Sequence, residues 1–345
     1  MPTFRAVANL LFAFVAALGR RLVGRPLRPS WPLGYATVVG SLRRNARWTA
    51  TQPLAEARQF QERLARTQKP LPAVRREGAT LGGVPVVRHG LRVLKPVALG
   101  ESAAVEVAGR PADEDADGKA QQLPWLLYLH GGAHVAGSPA THGDLVDRLV
   151  IAGAFAAVVP AFRLAPEHAV DDAVDDVLAV HGALLDAGHR VVWAGDSSGG
   201  ALAVLASVAA RDRGIPLPER VALISPWVDL RCHGAAFARF EGVDWGTRAA
   251  LLDQARLAAG GRRLDDPRLS PLFAELHGLP PSLIHVGGAE IIQDSVLAFA
   301  DALDAAGGSV TLAVWPDQVH AFHLLAAFHP EAQRAVDALA AFLHA

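Results

Sequence analysis

Cysteine is almost missing from this sequence, and several other class-defining features are missing entirely. The single cysteine, Cys232, excludes an intrachain disulfide and any metal site built from several cysteines. No glycine-rich phosphate loop and no dinucleotide-binding fingerprint occurs in the 345 residues. The apolar run at residues 6–18 is too short for a spanning helix, which needs about 20 residues. The sequence therefore lacks the marks of nucleotide-binding, disulfide-stapled and membrane-spanning proteins.

The net charge of −1 conceals an uneven distribution of charge along the chain. Residues 1–76 carry 14 Arg and Lys against two acids, Glu56 and Glu62, whereas the remainder carries 19 basic and 32 acidic residues. No nucleic-acid motif and no basic platform interleaved with aromatic residues accompanies these arginines. We therefore expect no nucleic-acid partner.

The apolar run 6–18 lies between Arg5 and the pair Arg20-Arg21. A signal peptide is disfavoured, because the preceding charge is thin and no clear small-x-small cleavage site precedes Arg20. Two interpretations stay open. Residues 1–28 contact a membrane surface as an interfacial helix, or they form a helix packed on the protein itself. Both favour a cytoplasmic protein, membrane-associated in the first case.

From residue 124 onward, apolar strand-like segments alternate with helical ones, which predicts a mainly parallel sheet covered on both faces. Helical pieces precede this region near 35–47 and 54–67, and Val/Leu-rich runs within 84–107 suggest antiparallel strands. Residues 231–269 interrupt the alternation with one helical piece at about 247–259, and read as an insertion over the strand ends. The predicted strands of the regular region are at about 124–130, 156–161, 191–195, 221–226, 282–287 and 309–315.

A serine lies on the turn between one of these strands and the next helix. The apolar run ending at residue 194 and the Ala/Leu-rich run from residue 201 flank Gly195-x-Ser197-x-Gly199. Side chains at the two glycine positions would collide with neighbouring backbone, and the strained turn would hold Ser197 Oγ clear of the sheet. The pentapeptide alone is a weak signal, but the flanking strand and helix make Ser197 a predicted nucleophile.

A serine alcohol needs a base, and the base needs an orienting acid. Glu290 follows one predicted strand, and His320 lies in the loop after the last strand. Both therefore belong at the carboxyl edge of the sheet, where Ser197 is presented. The oxyanion formed during acylation needs backbone donors. Ser198 N–H supplies one, and the small residues of Gly131-Gly132-Ala133, after an earlier strand, would let further amides approach the substrate.

Five blocks of this sequence resemble the hormone-sensitive-lipase-like branch of the α/β-hydrolases, in the same order, over roughly residues 124–345. The resemblance implies an eight-stranded, mostly parallel sheet and a Ser-acid-His triad, and a reaction through such a triad needs no cofactor. It also implies a helical cap, here residues 1–70 and about 231–269, on a catalytic domain of residues 71–345. The blocks are His130-Gly131-Gly132-Ala133, Arg163-Leu164-Ala165-Pro166-Glu167-His168, Gly195-Asp196-Ser197-Ser198-Gly199-Gly200, Ser225-Pro226-Trp227 and His320-Ala321-Phe322.

Two departures from the family pattern matter. Ala133 replaces a glycine and adds a methyl group near the acyl site. The acidic block reads Glu290-Ile291-Ile292-Gln293-Asp294, so two carboxylates compete for the triad. We predict Glu290 as the acid because it directly follows its strand. Asp294 is the alternative, with helix capping or first-turn stabilisation as its expected role, and Asp317 is expected to be solvated.

The remaining candidates have structural explanations. His323 is expected to serve packing rather than to form a metal pair with His320, and the carboxylates of Asp171-Asp172 and Asp175-Asp176 are expected on a solvated helix face.

The sequence thus predicts a serine carboxylic-ester hydrolase for small to medium acyl esters. A lactonase or amidase would use the same triad. A ligand-binding protein of the same fold is the rival, but such receptors lack the histidine present at His320. A homodimer is also compatible with the sequence.

Overall fold

The computed structural model describes residues 2–92 and 123–345. The part of the predicted strand region beyond residue 92 lies outside the described residues. The α-helices are α1 (Pro2–Leu22), α2 (Leu33–Thr49), α3 (Leu54–Ala65), α4 (Gly143–Gly153), α5 (Val170–Asp186), α6 (Ser198–Asp212), α7 (Ala235–Phe240), α8 (Arg248–Ala259), α9 (Gln293–Ala305) and α10 (Pro330–His344). The strands are β1 (Val74–Leu81), β2 (Val84–Leu91), β3 (Trp125–Leu129), β4 (Ala156–Pro160), β5 (Val191–Asp196), β6 (Val221–Ile224), β7 (Ser282–Gly287) and β8 (Val310–Trp315).

The described strands form one eight-stranded sheet in the order β1-β2-β4-β3-β5-β6-β7-β8. The hairpin β1–β2 is antiparallel and pairs antiparallel with β4, and every other pairing in the sheet is parallel. The six strands predicted from residue 124 onward are therefore confirmed, and so is the α/β-hydrolase arrangement.

The central strands read as continuous apolar runs because both of their faces are buried. In β3, Leu127 and Leu129 point into the core shared with α5, α6 and α9. Leu126 and Tyr128 point the other way, into the core shared with α4 and α10. Helices on both faces thus explain why the strand sequence shows no alternation of polar and apolar residues.

The parallel strands bring their carboxyl ends to one edge of the sheet. Gly131 follows β3, Ser197 follows β5, Glu290 follows β7 and His320 follows β8. The segment 231–269 contains no strand, as expected, and α8 matches the predicted helical piece at about 247–259, whereas α7 was not predicted. None of the helices in residues 2–92 and 123–345 is long and apolar enough to cross a membrane.

Candidate active site

Ser197 occupies a strained backbone position between β5 and α6. Its backbone φ of 52° and ψ of −121° lie outside the regions that residues other than glycine normally adopt. A Cβ added to Gly195 would collide with Gly199 O, and one added to Gly199 would collide with Leu129 O. The tight turn expected from the sequence is present, and it requires both glycines.

His320 lies against this serine. Its Nε2 is 2.9 Å from Ser197 Oγ, which is hydrogen-bonding distance. The backbone N–H of Trp227 donates to Ser197 O, and Ser197 N–H donates to Ile224 O. These bonds fix the serine main chain to the end of β6 while its hydroxyl faces the imidazole.

Glu290 faces the other nitrogen of the imidazole. Its Oε1 is 3.8 Å from His320 Nδ1, and neither atom has a hydrogen-bond partner among the described residues. The second oxygen, Oε2, accepts from Ser225 Oγ at 2.6 Å and from Gly287 N at 2.9 Å. The fully buried carboxylate is thus oriented by two donors and leaves one oxygen directed at the histidine.

Asp294 lies in the first turn of α9, as expected, but its carboxylate serves another element. Asp294 Oδ2 accepts from the backbone N–H of Ala236 at 2.9 Å, at the start of α7. It therefore anchors α7 instead of capping its own helix, and no contact joins it to His320 among the described residues.

A third carboxylate near His320 was not predicted from the sequence. Asp244 is fully buried and belongs to the 231–269 segment. Its Oδ1 accepts from His320 N at 3.2 Å and its Oδ2 from Ile291 N at 2.9 Å. Burial raises the pKa of Asp244 to about 6, although His320 and the backbone donors oppose this shift. No motif or periodicity in the insertion signals this residue.

The charge environment favours protonation of His320. Burial alone would lower the pKa of this imidazole, but the carboxylates of Glu290, Asp244 and Asp196 outweigh burial and raise it above the ordinary value. An imidazolium formed next to Ser197 would consequently be stabilised by the surrounding negative charge.

The glycine-rich turn after β3 presents two free amides. The N–H groups of Gly132 and Ala133 have no acceptor among the described residues, and Ser198 N–H lies in the unpaired first turn of α6. Gly131 N–H, in contrast, donates to Asp196 Oδ1 at 3.0 Å. The expectation that Gly131 belongs to the oxyanion donors is therefore wrong for its amide, which is already engaged.

The carboxylate of Asp196 fixes this turn through hydrogen bonds. Its carboxylate accepts from Tyr128 Oη at 2.7 Å as well as from Gly131 N, and its Oδ2 is 3.2 Å from His142 Nε2. Burial opposes ionisation, but His142, Tyr128 and Gly131 N–H together lower the pKa of Asp196 to about 2. A Cβ on Gly131 would collide with this carboxylate, which explains the glycine there.

The loop carrying His320 is held from two sides. On one side, Trp31 Nε1 donates to Asp317 O at 2.7 Å, and Ser30 Oγ donates to Asp317 Oδ2 at 2.7 Å. On the other side, Trp245 Nε1 donates to His320 O at 2.8 Å. Asp317 is thus half-exposed, in keeping with the expected solvation, and its carboxylate and carbonyl are in addition bound by the N-terminal segment.

Two other expectations concern residues away from the serine. His323 is buried and lies 3.0 Å from His285 through its Nε2, in agreement with packing. No group of three or more potential metal ligands gathers within residues 2–92 and 123–345. Asp176 is not solvated, because it is buried and accepts from the guanidinium and the backbone N–H of Arg163.

A cavity of about 350 Å³ opens over Ser197, and a second chamber of about 370 Å³ continues outward from it. The residues that line both spaces form a shared boundary, here called the neck, and come from α2, α3, the loop after β3 and the 231–269 segment. The lining is largely apolar, so the cavity suits substrates with apolar chains. The neck residues are Leu42, Gln61, Leu64, Ala136, Trp245, Gly246, Leu251 and Gln254.

Comparison with known proteins agrees with this geometry. A family model described as alpha/beta hydrolase fold matches residues 126–324. An acetyl-hydrolase of Streptomyces hygroscopicus is 40% identical over 227 residues, 63% of this chain and 74% of that protein. A putative acetyl-hydrolase of Mycobacterium tuberculosis, LipR, is 33% identical over 256 residues, 69% of this chain and 79% of that protein.

Solved structures give the same result. The esterase EstE5 soaked with ethyl alcohol superposes with a TM-score of 0.77 at 30% identity, covering 91% of this chain and 98% of that one. An esterase from the bacterial hormone-sensitive lipase family superposes with a TM-score of 0.75 at 29% identity, covering 89% and 97%. The chain therefore belongs to the α/β-hydrolase fold family, in its hormone-sensitive-lipase-like branch, and is an ester hydrolase.

Proposed function

We propose that this enzyme hydrolyses small to medium acyl esters through an acyl-enzyme formed on Ser197. The observation that carries the proposal is the 2.9 Å contact between Ser197 Oγ and His320 Nε2 at the floor of an apolar cavity, with Glu290 on the far side of the imidazole. A hydroxyl, a base and a buried acid in this sequence of contacts can generate an alkoxide nucleophile.

The reaction has two halves. Ser197 Oγ attacks the acyl carbon while His320 Nε2 takes the hydroxyl proton, and the N–H groups of Gly132, Ala133 and Ser198 stabilise the oxyanion. The ester C–O bond then breaks, and His320 returns the proton to the leaving alcohol. In the second half, water attacks the acyl-enzyme, His320 takes the water proton and passes it to Ser197, and the carboxylic acid leaves.

Glu290 is the proposed orienting acid. It does not exchange protons with substrate, but its negative charge beside Nδ1 stabilises the imidazolium present in both halves of the reaction. Within the described part of the chain Oε1 and Nδ1 have no other partner, which supports this role, and the bond that Ala236 N donates to Asp294 argues against the alternative acid.

We further propose that residues 1–70 and about 231–269 form a cap over a catalytic domain of residues 71–345. Support comes from the cavity, because α2, α3 and residues 244–254 line the space above Ser197. The size of the two chambers favours chains longer than acetyl. Lactones and amides remain alternative substrates for the same residues, whereas a purely ligand-binding role leaves the His320–Ser197 contact unexplained.

A homodimer is a further proposal, supported by the sheet edge at β8. This strand pairs only with β7 among the described strands, and its side chains Leu312 and Val314 are exposed. Exposed edge strands pair readily with a second copy. Light scattering coupled to size-exclusion chromatography would test this, and a monomer at micromolar concentration would contradict it.

A panel of p-nitrophenyl esters from acetate to palmitate, with matched lactones and amides, tests the proposed function. We expect ester turnover and fluorophosphonate labelling, both lost in Ser197→Ala. The control is Ser207→Ala, a buried serine of α6 whose hydroxyl donates to Ala203 O. Labelling that survives Ser197→Ala would overturn the nucleophile, and preferential turnover of lactones or amides would reassign the substrate class.

A further inference from the structure

Helix α1 packs one face against the protein, and its other face is exposed to solvent. The inner face packs on α2: Ala13 lies against Gly40, and Asn9 Nδ2 donates to Asn45 Oδ1 at 2.6 Å. The buried and half-buried positions Ala6, Asn9, Ala13 and Ala17 recur every three to four residues. Small or polar side chains thus occupy the most buried described positions of α1, and Phe12 packs beside α2 under the guanidinium of Arg44.

The large residues form a continuous stripe on the opposite side. Val7 is 66% exposed, Leu11 64%, Val15 60% and Leu22 79%. Their spacing of about four residues aligns them along the helix, together with the less exposed Leu18. We call Val7, Leu11, Val15, Leu18 and Leu22 the α1 outer face. An apolar stripe of this length on a protein surface marks an interaction site.

Positive charge flanks the α1 outer face without an acidic counterpart. The helix contains Arg5, Arg20 and Arg21 and no Asp or Glu. On α2, burial and the neighbouring charges of Arg47 and Arg20 lower the pKa of Arg43. No carboxylate of the described residues lies within ion-pairing distance of Arg5, Arg20 or Arg47. The surface around the stripe is therefore an unneutralised cationic rim.

We propose that the α1 outer face docks this enzyme onto an anionic membrane surface. A helix with apolar residues on one side and basic residues at its ends lies in the headgroup region, and each nearby Arg contributes about 1 kcal/mol of attraction to anionic lipid. A second copy of the chain fits less well. A two-fold pair of antiparallel α1 helices would bring Arg5 of one protomer against Arg20 and Arg21 of the other, so like charges would meet.

The outer chamber lies close to the N-terminal end of α1. Arg5 lies over the ring of Trp48 at 4.3 Å, and Trp48 contacts Phe60 with ring centroids 5.0 Å apart. Phe60 in turn lines the outer chamber. The N-terminal end of α1 is thus only two aromatic rings away from the passage that leads to Ser197.

Co-sedimentation of the full-length protein with vesicles tests the docking. The vesicles contain phosphatidylcholine alone or with 30 mol% phosphatidylglycerol (roughly one anionic lipid in three, enough for a polybasic surface). The variant Leu11→Asp/Val15→Asp removes the stripe, and Ile151→Asp/Phe328→Asp changes two exposed apolar residues elsewhere. We expect binding that needs the anionic lipid, weakens with salt, and falls at least tenfold in the α1 variant but not in the control. Hydrolysis of soluble p-nitrophenyl acetate should be unchanged in both.

Three results would overturn the proposal. The first is equal, salt-independent pelleting of wild type and the α1 variant. The second is equal binding to neutral and anionic vesicles. The third is a dimer that dissociates in Leu11→Asp/Val15→Asp, which would assign the α1 outer face to a second copy. None of these depends on ester hydrolysis, so they do not test the proposed reaction.

A separate observation concerns the 231–269 segment. Trp245 Nε1 donates to His320 O at 2.8 Å, while Asp244 accepts from His320 N and from Ile291 N, the residue after Glu290. Trp245 N also donates to Asp244 Oδ1 at 2.7 Å. Two consecutive residues of this segment thus bond the main chain of the proposed base, and one of them also bonds the main chain of the residue that follows the proposed acid.

We infer, on the basis of the proposed function, that Asp244 and Trp245 are positioning residues that fix His320 relative to Glu290. Neither touches the reacting atoms in this role. Misplacing a reacting group by about 1 Å costs on the order of 10²-fold in rate. Loss of the hydrogen bonds made by either Asp244 or Trp245 should therefore lower kcat more than it changes KM for a small ester.

Asp244→Asn and Trp245→Phe test this inference against Asp147→Asn, a buried carboxylate that bonds Arg76 and His89 on β1 and β2. The charged groups that act on His320 are Glu290, Asp244 and Asp196. Removing the charge of Asp244 should lower kcat about 10–100-fold and shift the acid limb of the pH profile to lower pH. Trp245→Phe should lower kcat without moving that limb.

The Asp147→Asn control distinguishes a failure of the positioning inference from a failure of the proposed reaction. If Asp244→Asn and Asp147→Asn lose activity only in proportion to lost stability, with unchanged pH profiles, Asp244 is merely structural and the inference fails. If Ser197→Ala retains activity, the proposed reaction itself fails. Wild-type kcat and pH profile in both positioning variants would also overturn the inference.

Discussion

Glu290 Oε1 and His320 Nδ1 face each other at 3.8 Å, each without another partner among the described residues. This distance is longer than a hydrogen bond but short enough for a buried ion pair. A small inward movement of either side chain, when substrate closes the site, would convert the pair into a hydrogen bond. Catalytic contacts commonly tighten in this way on substrate binding.

The first prediction concerns the identity of the acid. Glu290→Gln should lower kcat by up to about 10⁴-fold, the loss seen when the orienting carboxylate of a serine protease is made an amide. Asp294→Asn and Asp317→Asn should change kcat only slightly, because their carboxylates bond Ala236 N and Ser30. Steady-state measurement of kcat on p-nitrophenyl acetate for the three variants identifies the acid. A large loss in Asp294→Asn with a minor one in Glu290→Gln would reverse the assignment.

The second prediction concerns pH. His320 accepts the serine proton only when it is neutral, and its carboxylate neighbours raise its pKa. The kcat/KM value should therefore rise with pH through an apparent pKa above the ordinary histidine value of about 6.5 and level off at higher pH. A profile measured between about pH 5 and 9 tests this. An acid limb with its midpoint well below the ordinary value would contradict it.

The third prediction concerns the oxyanion donors. Gly132 has a φ of 133°, and a Cβ there would collide with Ala136 O, so Gly132→Ala must displace the turn that carries two free amides. We expect a loss of about 10²–10³-fold in kcat, as for removal of one oxyanion donor. Gly78→Ala is the matched control, since open space surrounds the added methyl. Equal activity of the two variants would exclude this turn from the oxyanion site.

The fourth prediction concerns the stability contributed by Asp196. Its pKa is about 2 in the folded protein, against about 3.9 for an unfolded aspartate, which corresponds to about 2–3 kcal/mol. This contribution is present above the unfolded value and is lost as pH falls through the folded one. The difference in unfolding free energy between wild type and Asp196→Asn should therefore shrink as pH is lowered. Urea titrations at several pH values measure it, and a pH-independent difference would refute the prediction.

The fifth prediction concerns chain length. Leu251 lies in the neck between the two chambers, whereas Leu257 lines only the outer one. Leu251→Trp should lower kcat/KM for octanoate and longer esters while sparing acetate, because it obstructs the passage. Leu257→Trp should affect only the longest esters in the panel. The same loss for acetate as for palmitate in Leu251→Trp would show that the neck does not select chain length.

The residues that lie on regular elements could be predicted from the sequence. Gly195 and Gly199 imply the turn at Ser197, and the strand order implies that Glu290 and His320 return to the same edge. The geometry agrees, because parallel strands bring residues distant in sequence to a common edge. Fold and family follow from the same pattern and are confirmed by the comparisons.

What the sequence could not predict depends on contacts between irregular segments. Asp244 lies in a segment with no strand register, so nothing indicates that it reaches His320 N. Asp294 occupies the expected helical turn but bonds α7, which only the packing of two helices decides. Gly131 belongs to the right turn, yet its amide points at Asp196. Each of these depends on side-chain direction, which local propensity does not specify.

The bond from Trp31 to Asp317 O spans 286 positions of the chain. During synthesis the N-terminal segment is therefore complete long before its partner loop exists, and the contact between them closes a loop of almost the whole chain, at a cost in conformational entropy. A nascent chain that ends between Ser197 and His320 contains the nucleophile but lacks both the base and the loop that Trp31 binds. Hydrolysis by the proposed residues therefore requires that the last strand and the loop after it have joined the sheet edge.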